Sequence, residues 1–458
     1  MNLIYNVKDK PKFGQMIVFA FQQLLAILAA TIAVPSIIGN GMSQASALFG
    51  AGVGTIVYLL FTKFKSPVFL GSSFAFLGSM GAAFAGAVSN AAGHAGLIIG
   101  AILAGFVYVV IAIVVKFFGV KWISKLMPPV VIGPTVAIIG LSLAGNAVRD
   151  AVGCSAGFVS FDEGQLLAGN GFIFQMGAKG WICLVCALVT LGVVMLCSVF
   201  GKKMAKMIPF IIGICAGYVV AAIFTVIGIL TENEVFRIID FSKFASMQWY
   251  PDFTFVEAIK GVKDIDAKFI ATIAVAYVPV AFVVFAEHIA DHKNLSSIIG
   301  SELLEDPGLH RTLLGDGVGS MVGAFFGGCP NTTYGESVGC VAISGNASVV
   351  TIFTTAIMAI LASFVAPFTT FLATIPGCVM GGVCISLYGF IAVSGLKMLQ
   401  PVDLGDNRNL FTASVILIAG IGSMCLKIGE VKLTSIACAL ILGILVNLLL
   451  SKKKNSEQ

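Results

Sequence analysis

Long apolar runs without charged residues dominate the chain. No Asp, Glu, Lys or Arg occurs within residues 13–62, 66–115 or 337–396. A bilayer core is about 30 Å thick and takes roughly 20 apolar residues to span, so each of these runs holds two or three spans joined by uncharged loops. The runs do not alternate polar and apolar positions, which argues against an outer-membrane barrel. The pattern therefore predicts an all-α polytopic membrane protein.

Fourteen uncharged segments have spanning character in this interpretation. The third and the tenth are short and are interrupted by Gly, Ser, Thr and Pro, and residues 231–268 form a long polar loop between the seventh and the eighth. The segments are centred at Ala26, Val57, Phe76, Ala104, Ile138, Val189, Ala216, Val280, Val322, Cys340, Ala359, Ile385, Ile416 and Leu442.

Composition and charge narrow the class further. Of all residues 58% are hydrophobic and 11% are charged, against about 25% charged in soluble domains, which excludes an ordinary soluble protein, a disordered one and a nucleic-acid binder. With the N-terminus inside, an even number of spans places most Lys and Arg residues in the cytoplasm, as the positive-inside rule favours. We therefore expect a multi-pass protein of the cytoplasmic membrane, surrounded by lipid, with both termini cytoplasmic.

The two interrupted segments occupy the same position in each half of the chain. Fourteen spans divide into two inverted repeats of seven, a common design of secondary transporters. The first broken segment (residues 67–76) and the second broken segment (residues 330–336) each contain a proline, a hydroxyl pair, an aromatic residue and a glycine. Such a segment can run extended and then start a half-helix whose free N–H groups face a ligand. Small residues serving only helix packing are the alternative.

Ionisable residues cluster at the end of the eighth segment and at the second broken segment. Glu287 and Asp291 share one helix face, and His288 and His292 share a neighbouring one. Glu336 ends the second broken segment. Charges within a span are costly and usually face a cavity. An interfacial position for Glu287 and a structural role for the histidines are the alternatives, and a metal site built from these groups is disfavoured.

Two acids in an apolar pocket suit a particular kind of ligand. A carboxylate only accepts hydrogen bonds, whereas a protonated acid also donates, and burial beside a second carboxylate favours the protonated form. A planar nucleobase, with N–H donors beside carbonyl acceptors, fits this description, and Phe74, Phe76 and Tyr334 are available to stack on it. A simple anion would require Arg or Lys, which neither broken segment contains. No nucleophile triad, metal motif or phosphate loop indicates an enzyme, and no cofactor is expected besides a co-transported proton.

The chain resembles the nucleobase–ascorbate transporter family over nearly its whole length. The resemblance is strongest at residues 71–76 (GSSFAF), 286–289 (AEHI) and 330–336 (PNTTYGE). It implies fourteen spans in two inverted repeats, short strands in spans 3 and 10, and proton-coupled nucleobase uptake by an elevator movement of a core domain against a gate domain. A homodimer is compatible with the apolar faces of the gate helices.

The resemblance also implies domain boundaries. The core domain would comprise residues 1–127 (spans 1–4) and 268–373 (spans 8–11). The gate domain would comprise residues 128–267 (spans 5–7 and the extracellular loop) and 374–458 (spans 12–14 and a cytoplasmic tail).

Site residues follow from the matching positions. Glu287 and Glu336 would bind the base through their side chains, Gly335 through its backbone, and Phe74 through backbone and ring. Asp291 would take part in proton coupling, together with His288 or His292. The residues expected to support the site are Gln22, Gln23, Ser73, Thr333 and Tyr334.

Several positions depart from the family pattern. Uracil-transporting members commonly carry His at the position of Asp291, where xanthine transporters often carry Asp. Glu336 is the choice of uracil transporters, since xanthine transporters usually carry Gln there. Gln23 replaces a frequent His, and Ser337 replaces a frequent Asn. Because Glu336 should contact the base, uracil:proton symport is favoured. A xanthine or other purine:proton symporter is the alternative, and an anion transporter of the related fourteen-span fold is a more distant one.

Overall fold

The computed structural model describes residues 3–119, 121–153, 157–160, 172–175, 177–202, 204–428 and 431–451. Most of these residues are helical, as expected for a chain that must satisfy its backbone hydrogen bonds within a bilayer. The predicted cytoplasmic tail after residue 451 lies outside the described residues.

Most helices follow one another along the chain with short connections. In chain order they are α1 (Phe13–Ile38), α2 (Gln44–Phe61), α3 (Leu77–Ala85), α4 (Asn90–Phe118), α5 (Lys121–Leu126), α6 (Pro129–Ser142), α7 (Ala144–Val152), α8 (Ala178–Phe200), α9 (Met204–Met207), α10 (Pro209–Leu230), α11 (Thr254–Gly261), α12 (Ala267–Ile299), α13 (Leu309–Gly327), α14 (Gly335–Ser344), α15 (Val349–Ala362), α16 (Ala366–Thr374), α17 (Gly377–Lys397), α18 (Asn407–Ile421) and α19 (Ser435–Ser451). The longer intervals separate α7 from α8 and α10 from α11.

Short strands form antiparallel pairs between the helices. They are β1 (Leu70–Ser72), β2 (Gly157–Ser160), β3 (Phe172–Gln175), β4 (Asn331–Thr333), β5 (Leu426–Ile428) and β6 (Val431–Leu433). The pairs β2–β3 and β5–β6 are local hairpins, whereas β1–β4 joins the two broken segments.

Every predicted segment centre lies in a helix or, for Phe76, in the 3-10 turn Phe74–Phe76 that precedes α3. Within the described residues, eight helices are long and apolar enough to cross a membrane. The pair α15–α16, which bends by 83°, brings this number to nine if it counts as one span. The polytopic membrane class is thereby confirmed, while the count of fourteen spans in two inverted repeats stays a prediction.

The described chain divides into two compact units. The first unit comprises Met1–Ile139, Gln248–Thr369 and Ala392–Gln458, and the second comprises Gly140–Met247 and Thr370–Ile391. Both broken segments belong to the first unit. The core and gate boundaries inferred from the resemblance stay a prediction.

Close approach of α2 and α13 builds the interior of the first unit. A Cβ atom on Gly54 would lie 2.7 Å from the backbone oxygen of Gly319, so a larger residue would force the helices apart. Small residues serve this purpose in membrane interfaces. The carboxamide of Asn331 in β4 donates to the backbone oxygen of Gly50 at 3.1 Å, which ties the second broken segment to α2.

Candidate functional site

The two broken segments meet as a two-stranded antiparallel sheet. Strands β1 and β4 pair with Leu70 opposite Thr333 and Ser72 opposite Asn331. Beyond the strands, the first segment enters the 3-10 turn and α3, and the second enters α14. The predicted extended stretches that lead into half-helices are therefore present in both segments.

The aromatic residue of the second segment closes over the glycine of the first. A Cβ atom on Gly71 would overlap the ring of Tyr334, whose hydroxyl donates to the backbone oxygen of Ser72 at 2.8 Å. Phe76 stacks on Tyr277 of α12 with ring centroids 5.5 Å apart. Both Phe76 and Tyr334 are buried against protein, so the expectation that their faces are available for stacking on a ligand is wrong.

The remaining predicted residues of the first broken segment are also buried. Phe74 begins the 3-10 turn and is 8% exposed, and Ser73 is 1% exposed. The backbone N–H of Ser73 donates to the backbone oxygen of Pro330 at 2.9 Å. Contact of Phe74 with a ligand and a supporting role of Ser73 stay predictions.

Three carboxyl groups converge where α12 passes the second broken segment. Glu287 and Asp291 lie on α12, and Glu336 lies in the first turn of α14. All three are half-buried, and the charges of Asp291 and Glu336 both act on Glu287. Thr333 donates to Asp291 Oδ2 at 2.8 Å. Gly335 is exposed beside Asp291, so acceptor side chains and an accessible backbone lie together.

His288 belongs to a fully buried hydrogen-bond network. Its Nδ1 lies 2.7 Å from Asp316 Oδ2, and its Nε2 lies 2.9 Å from Thr312 Oγ1. The hydroxyl of Thr312 donates to the backbone oxygen of Leu309 at 3.1 Å. Because that proton is committed, His288 Nε2 must donate, and Nδ1 shares a proton with Asp316. The His288–Asp316 pair is then neutral overall, whichever partner holds the proton.

His292 is likewise satisfied inside the protein. Its Nδ1 donates to the backbone oxygen of His288 at 2.8 Å, and its Nε2 lies 2.7 Å from the hydroxyl of Tyr58 on α2. That hydroxyl also bonds Ser66 at 2.7 Å. These contacts suit a residue that fastens α12 to α2. No cluster of potential metal ligands occurs within the described residues, and a role of either histidine in proton coupling stays a prediction.

Ser337 connects three elements of the site. The carboxamide of Gln23 on α1 donates to Ser337 Oγ at 2.5 Å, and the backbone N–H of Phe69 donates to the same atom at 3.0 Å. Gln23 and Ser337 are buried, whereas Gln22 is half-buried. The departure from the family pattern at Ser337 thus forms a joint between α1, α14 and the start of the first broken segment.

Sequence reasoning missed Asp316 and the hydroxyl partners of the histidines. Asp316 is 0% exposed in the middle of α13, and an ionisable residue within a predicted span is a functional candidate by default. That signal was therefore present in the sequence. Tyr58 and Thr312 carried no comparable signal, because hydroxyl residues are common on membrane helices.

Known proteins resemble the chain over its full length. The family described as "Permease family" matches residues 14–429. A uracil permease of Bacillus caldolyticus is 39% identical over 460 residues, covering 99% of this chain and 96% of the relative. A uracil permease of Bacillus subtilis (strain 168) is 35% identical over 455 residues, covering 98% of this chain and 96% of the relative.

The fold also occurs in a solved structure. The transmembrane domain of the cyanobacterium bicarbonate transporter BicA superimposes with a TM-score of 0.64, covering 97% of this chain and 99% of that one. At 16% sequence identity this likeness concerns the fold alone. Because the family match and the relatives extend over almost the whole sequence, the chain is an integral membrane transporter that belongs to the Permease family.

Proposed function

We propose that the protein takes up uracil across the cytoplasmic membrane together with protons. The convergence of Glu287, Asp291 and Glu336 beside the exposed backbone of Gly335 carries this proposal. The names of the full-length relatives support uracil as the substrate.

The chemistry of the site matches the edges of the base. Uracil offers two N–H donors, and the carboxylates of Glu287 and Glu336 are acceptors. Uracil also offers two carbonyl oxygens. The first N–H groups of α14, at Gly335 and Glu336, have no partner within their helix and can donate to one of them. We assign to Phe74 an apolar contact with the base.

Proton coupling is assigned to the carboxyl cluster. Three acids in a site of low dielectric constant repel one another when ionised, so adding a proton and adding an N–H donor ligand are both favourable. Asp291 fits the proton carrier, because it contacts the second broken segment through Thr333. The His288–Asp316 pair holds its shared proton within a closed network, so we give it a structural role.

The proposed architecture of the protein is the one that its resemblance to the nucleobase–ascorbate transporter family implies. It comprises fourteen spans, both termini in the cytoplasm, and an elevator movement of the core domain (residues 1–127 and 268–373) against the gate domain, with a homodimer as the assembly. The pairing of β1 with β4 supports the inverted repeat, because it joins segments that occupy equivalent positions in the two halves.

Uptake of radiolabelled uracil by cells that lack their own permease tests the proposal. We expect saturable uptake that unlabelled xanthine fails to block and that a protonophore abolishes. Absence of uracil uptake by correctly inserted protein would refute the assignment of the substrate. Uptake that ignores the protonophore would refute proton coupling.

A purine is the second candidate substrate, and Asp291 is the observation that favours it. Efficient competition by xanthine would support this alternative. Anion transport is a more distant alternative, because a bicarbonate transporter has the same fold. An anion would require Lys or Arg at the site, and neither broken segment carries one. Flux driven by chloride or sulfate would support anion transport.

A further inference from the structure

A cavity in the first unit lies apart from the carboxyl cluster. It has a volume of about 390 Å³, within the range of roughly 300–1,000 Å³ that is usual for small-molecule sites. The loop between α1 and α2, the start of α4, and residues 250–260 surround it, and no residue of the carboxyl cluster lines it.

His94 presents an unpaired acceptor to this cavity. The side chain lines the cavity and is only 4% exposed. Its Nδ1 lies 2.9 Å from the backbone oxygen of Asn90. A carbonyl oxygen only accepts, so Nδ1 carries the hydrogen and Nε2 of the neutral ring carries the lone pair. Within the described part of the chain, Nε2 has no hydrogen-bond partner. Phe84 packs edge-on against the ring at 5.1 Å, which fixes its orientation.

The other polar groups of the cavity include acceptors and hydroxyl groups. The carboxamide nitrogen of Asn90 is used by the backbone oxygen of Asn40 at 3.0 Å, which leaves its oxygen for a ligand. Asp252 also lines the cavity, and the side-chain amide of Gln248 donates to its two carboxylate oxygens at 3.1 and 3.0 Å. Glu257 is paired with Lys260 at 2.6 Å. Two carboxylates against one ammonium disfavour an anion, and the hydroxyl groups of Ser43, Tyr250 and Thr254 can donate or accept, which suits a ligand that offers both N–H groups and carbonyl oxygens.

Apolar residues complete the cavity. Phe253 packs edge-on against Phe49 at 4.9 Å and stacks on Phe255 at 5.8 Å, so its ring is held in place. Met42 and Tyr250 add further apolar surface to the lining. A planar heterocycle can use such surface while its edge meets the acceptors.

We propose that this cavity is a second binding site for a nucleobase, with His94 Nε2 and the Asn90 side-chain oxygen accepting its N–H groups. The inference rests on the proposed function, because it takes the transported base as the ligand. In the proposed topology α1 starts in the cytoplasm, so the cavity at its far end opens to the outside, where the substrate arrives.

Protection of an introduced cysteine tests the site. Val256 lines the cavity and is 50% exposed. Ile259 lies one turn further along α11, is 66% exposed and does not line it. In the purified full-length protein, uracil should slow labelling of V256C by a methanethiosulfonate reagent but leave labelling of I259C unchanged. At uracil about nine times its dissociation constant, the slowing should be about tenfold, because one site in ten stays free. The parent protein has cysteines of its own, so its labelling rate is subtracted from the rates of both variants.

Two further arms separate this site from the carboxyl cluster. Protection of V256C should persist when Glu287→Ala is added, and it should be lost or weakened when His94→Phe or Asp252→Asn is added. Loss of protection with Glu287→Ala alone would overturn the inference, as would unchanged protection in both His94→Phe and Asp252→Asn. Protection by Ca²⁺ in place of uracil would also overturn it. A protein that takes up uracil without protecting V256C keeps the proposed function and loses the second site.

Discussion

The two broken segments use the same backbone design and differ in what they present. Each runs extended for three residues, pairs with the other, and continues into a short helix. In the first segment the hydroxyl of Ser73 is buried and has no hydrogen-bond partner among the described residues. In the second segment Glu336 is half-buried and Gly335 is exposed. The two segments thus share a backbone design, while the ionisable side chain and the exposed backbone belong to the second one.

The aromatic residues show the same asymmetry. Tyr334 of the second segment covers Gly71 of the first, whereas Phe76 of the first stacks on Tyr277 of α12. Equivalent residue types in the two halves therefore serve different neighbours. Similar motifs at similar positions indicate a shared backbone path, and they do not by themselves indicate a shared contact with the substrate.

The largest expected effect is the difference in uracil uptake between a substitution of Glu336 in the second broken segment and a substitution of Ser73 in the first. Glu336→Gln removes a charged acceptor, and hydrogen bonds to charged groups contribute about 1.5–3 kcal/mol, so the apparent affinity for uracil should fall roughly 10- to 100-fold. Ser73→Ala, directly after β1 in the first segment, should change uptake by less than about twofold, since that hydroxyl has no hydrogen-bond partner among the described residues. Uptake kinetics measure both. Equal losses in the two variants would remove the distinction between the segments.

Substitution at the contact between Gly71 and Tyr334, which joins the two broken segments, should have the next largest effect, and this effect should be on stability. Gly71→Ala places a methyl group in the ring of Tyr334, and overpacking of this kind typically costs about 1–3 kcal/mol. We expect a lower thermal unfolding temperature in detergent and less folded protein in the membrane. Tyr334→Leu removes the ring, so the double variant should lose less stability than the sum of the single variants. Strict additivity would show that the two residues do not compete for this space.

Removing the shared acceptor at Ser337 should weaken the attachment of α1. Ser337→Ala leaves the N–H of Phe69 without its partner and leaves the carboxamide of Gln23 only its 3.4 Å bond to the backbone oxygen of residue 337, at a cost of about 1–3 kcal/mol for buried groups. Gln23→Leu removes one of these unpaired groups. A double-mutant cycle on thermal stability should therefore show non-additive effects. Additive losses would contradict a direct link between Gln23 and Ser337.

The smallest expected effect compares neighbouring threonines of β4. Thr333 donates to Asp291, whereas the hydroxyl of Thr332 has no partner among the described residues. Thr333→Val removes one hydrogen bond of about 0.5–1.5 kcal/mol and should reduce uptake up to about tenfold. Thr332→Val has the same shape change and should leave uptake nearly unchanged. A larger loss in Thr332→Val than in Thr333→Val would exclude the contact with Asp291 as the cause.

The likeness to a bicarbonate transporter shows that the fold alone does not identify the substrate. The two chains superimpose over nearly their full lengths at 16% identity, yet the names of the full-length relatives of this chain refer to uracil. A fold of this kind hosts different substrates, because the ligand is chosen by the few side chains at the site. In the site proposed for this chain, those side chains are carboxylates.

Local pattern predicted much of the fold. The uncharged runs indicated helices at every predicted centre, and the Gly, Ser, Thr and Pro residues in two of them indicated the breaks. These signals are local, since hydropathy and helix-breaking residues act within a few positions of the chain. The His288–Asp316 pair escaped this reasoning, because its partners come from two different helices and only packing brings them together.

Sequence alone determined that the chain crosses a membrane, where its helices break, and that Glu287 and Asp291 share one helix face, because these properties follow from composition and the helical repeat. The tertiary structure decided which of the polar side chains are buried against protein partners and which remain partly accessible. It buried His288, His292 and Tyr334 against partners distant in sequence, and it left the three carboxyl groups half-buried near one another. Such contacts depend on how closely glycine-lined helices approach and on the register of β1 against β4, which no local pattern encodes.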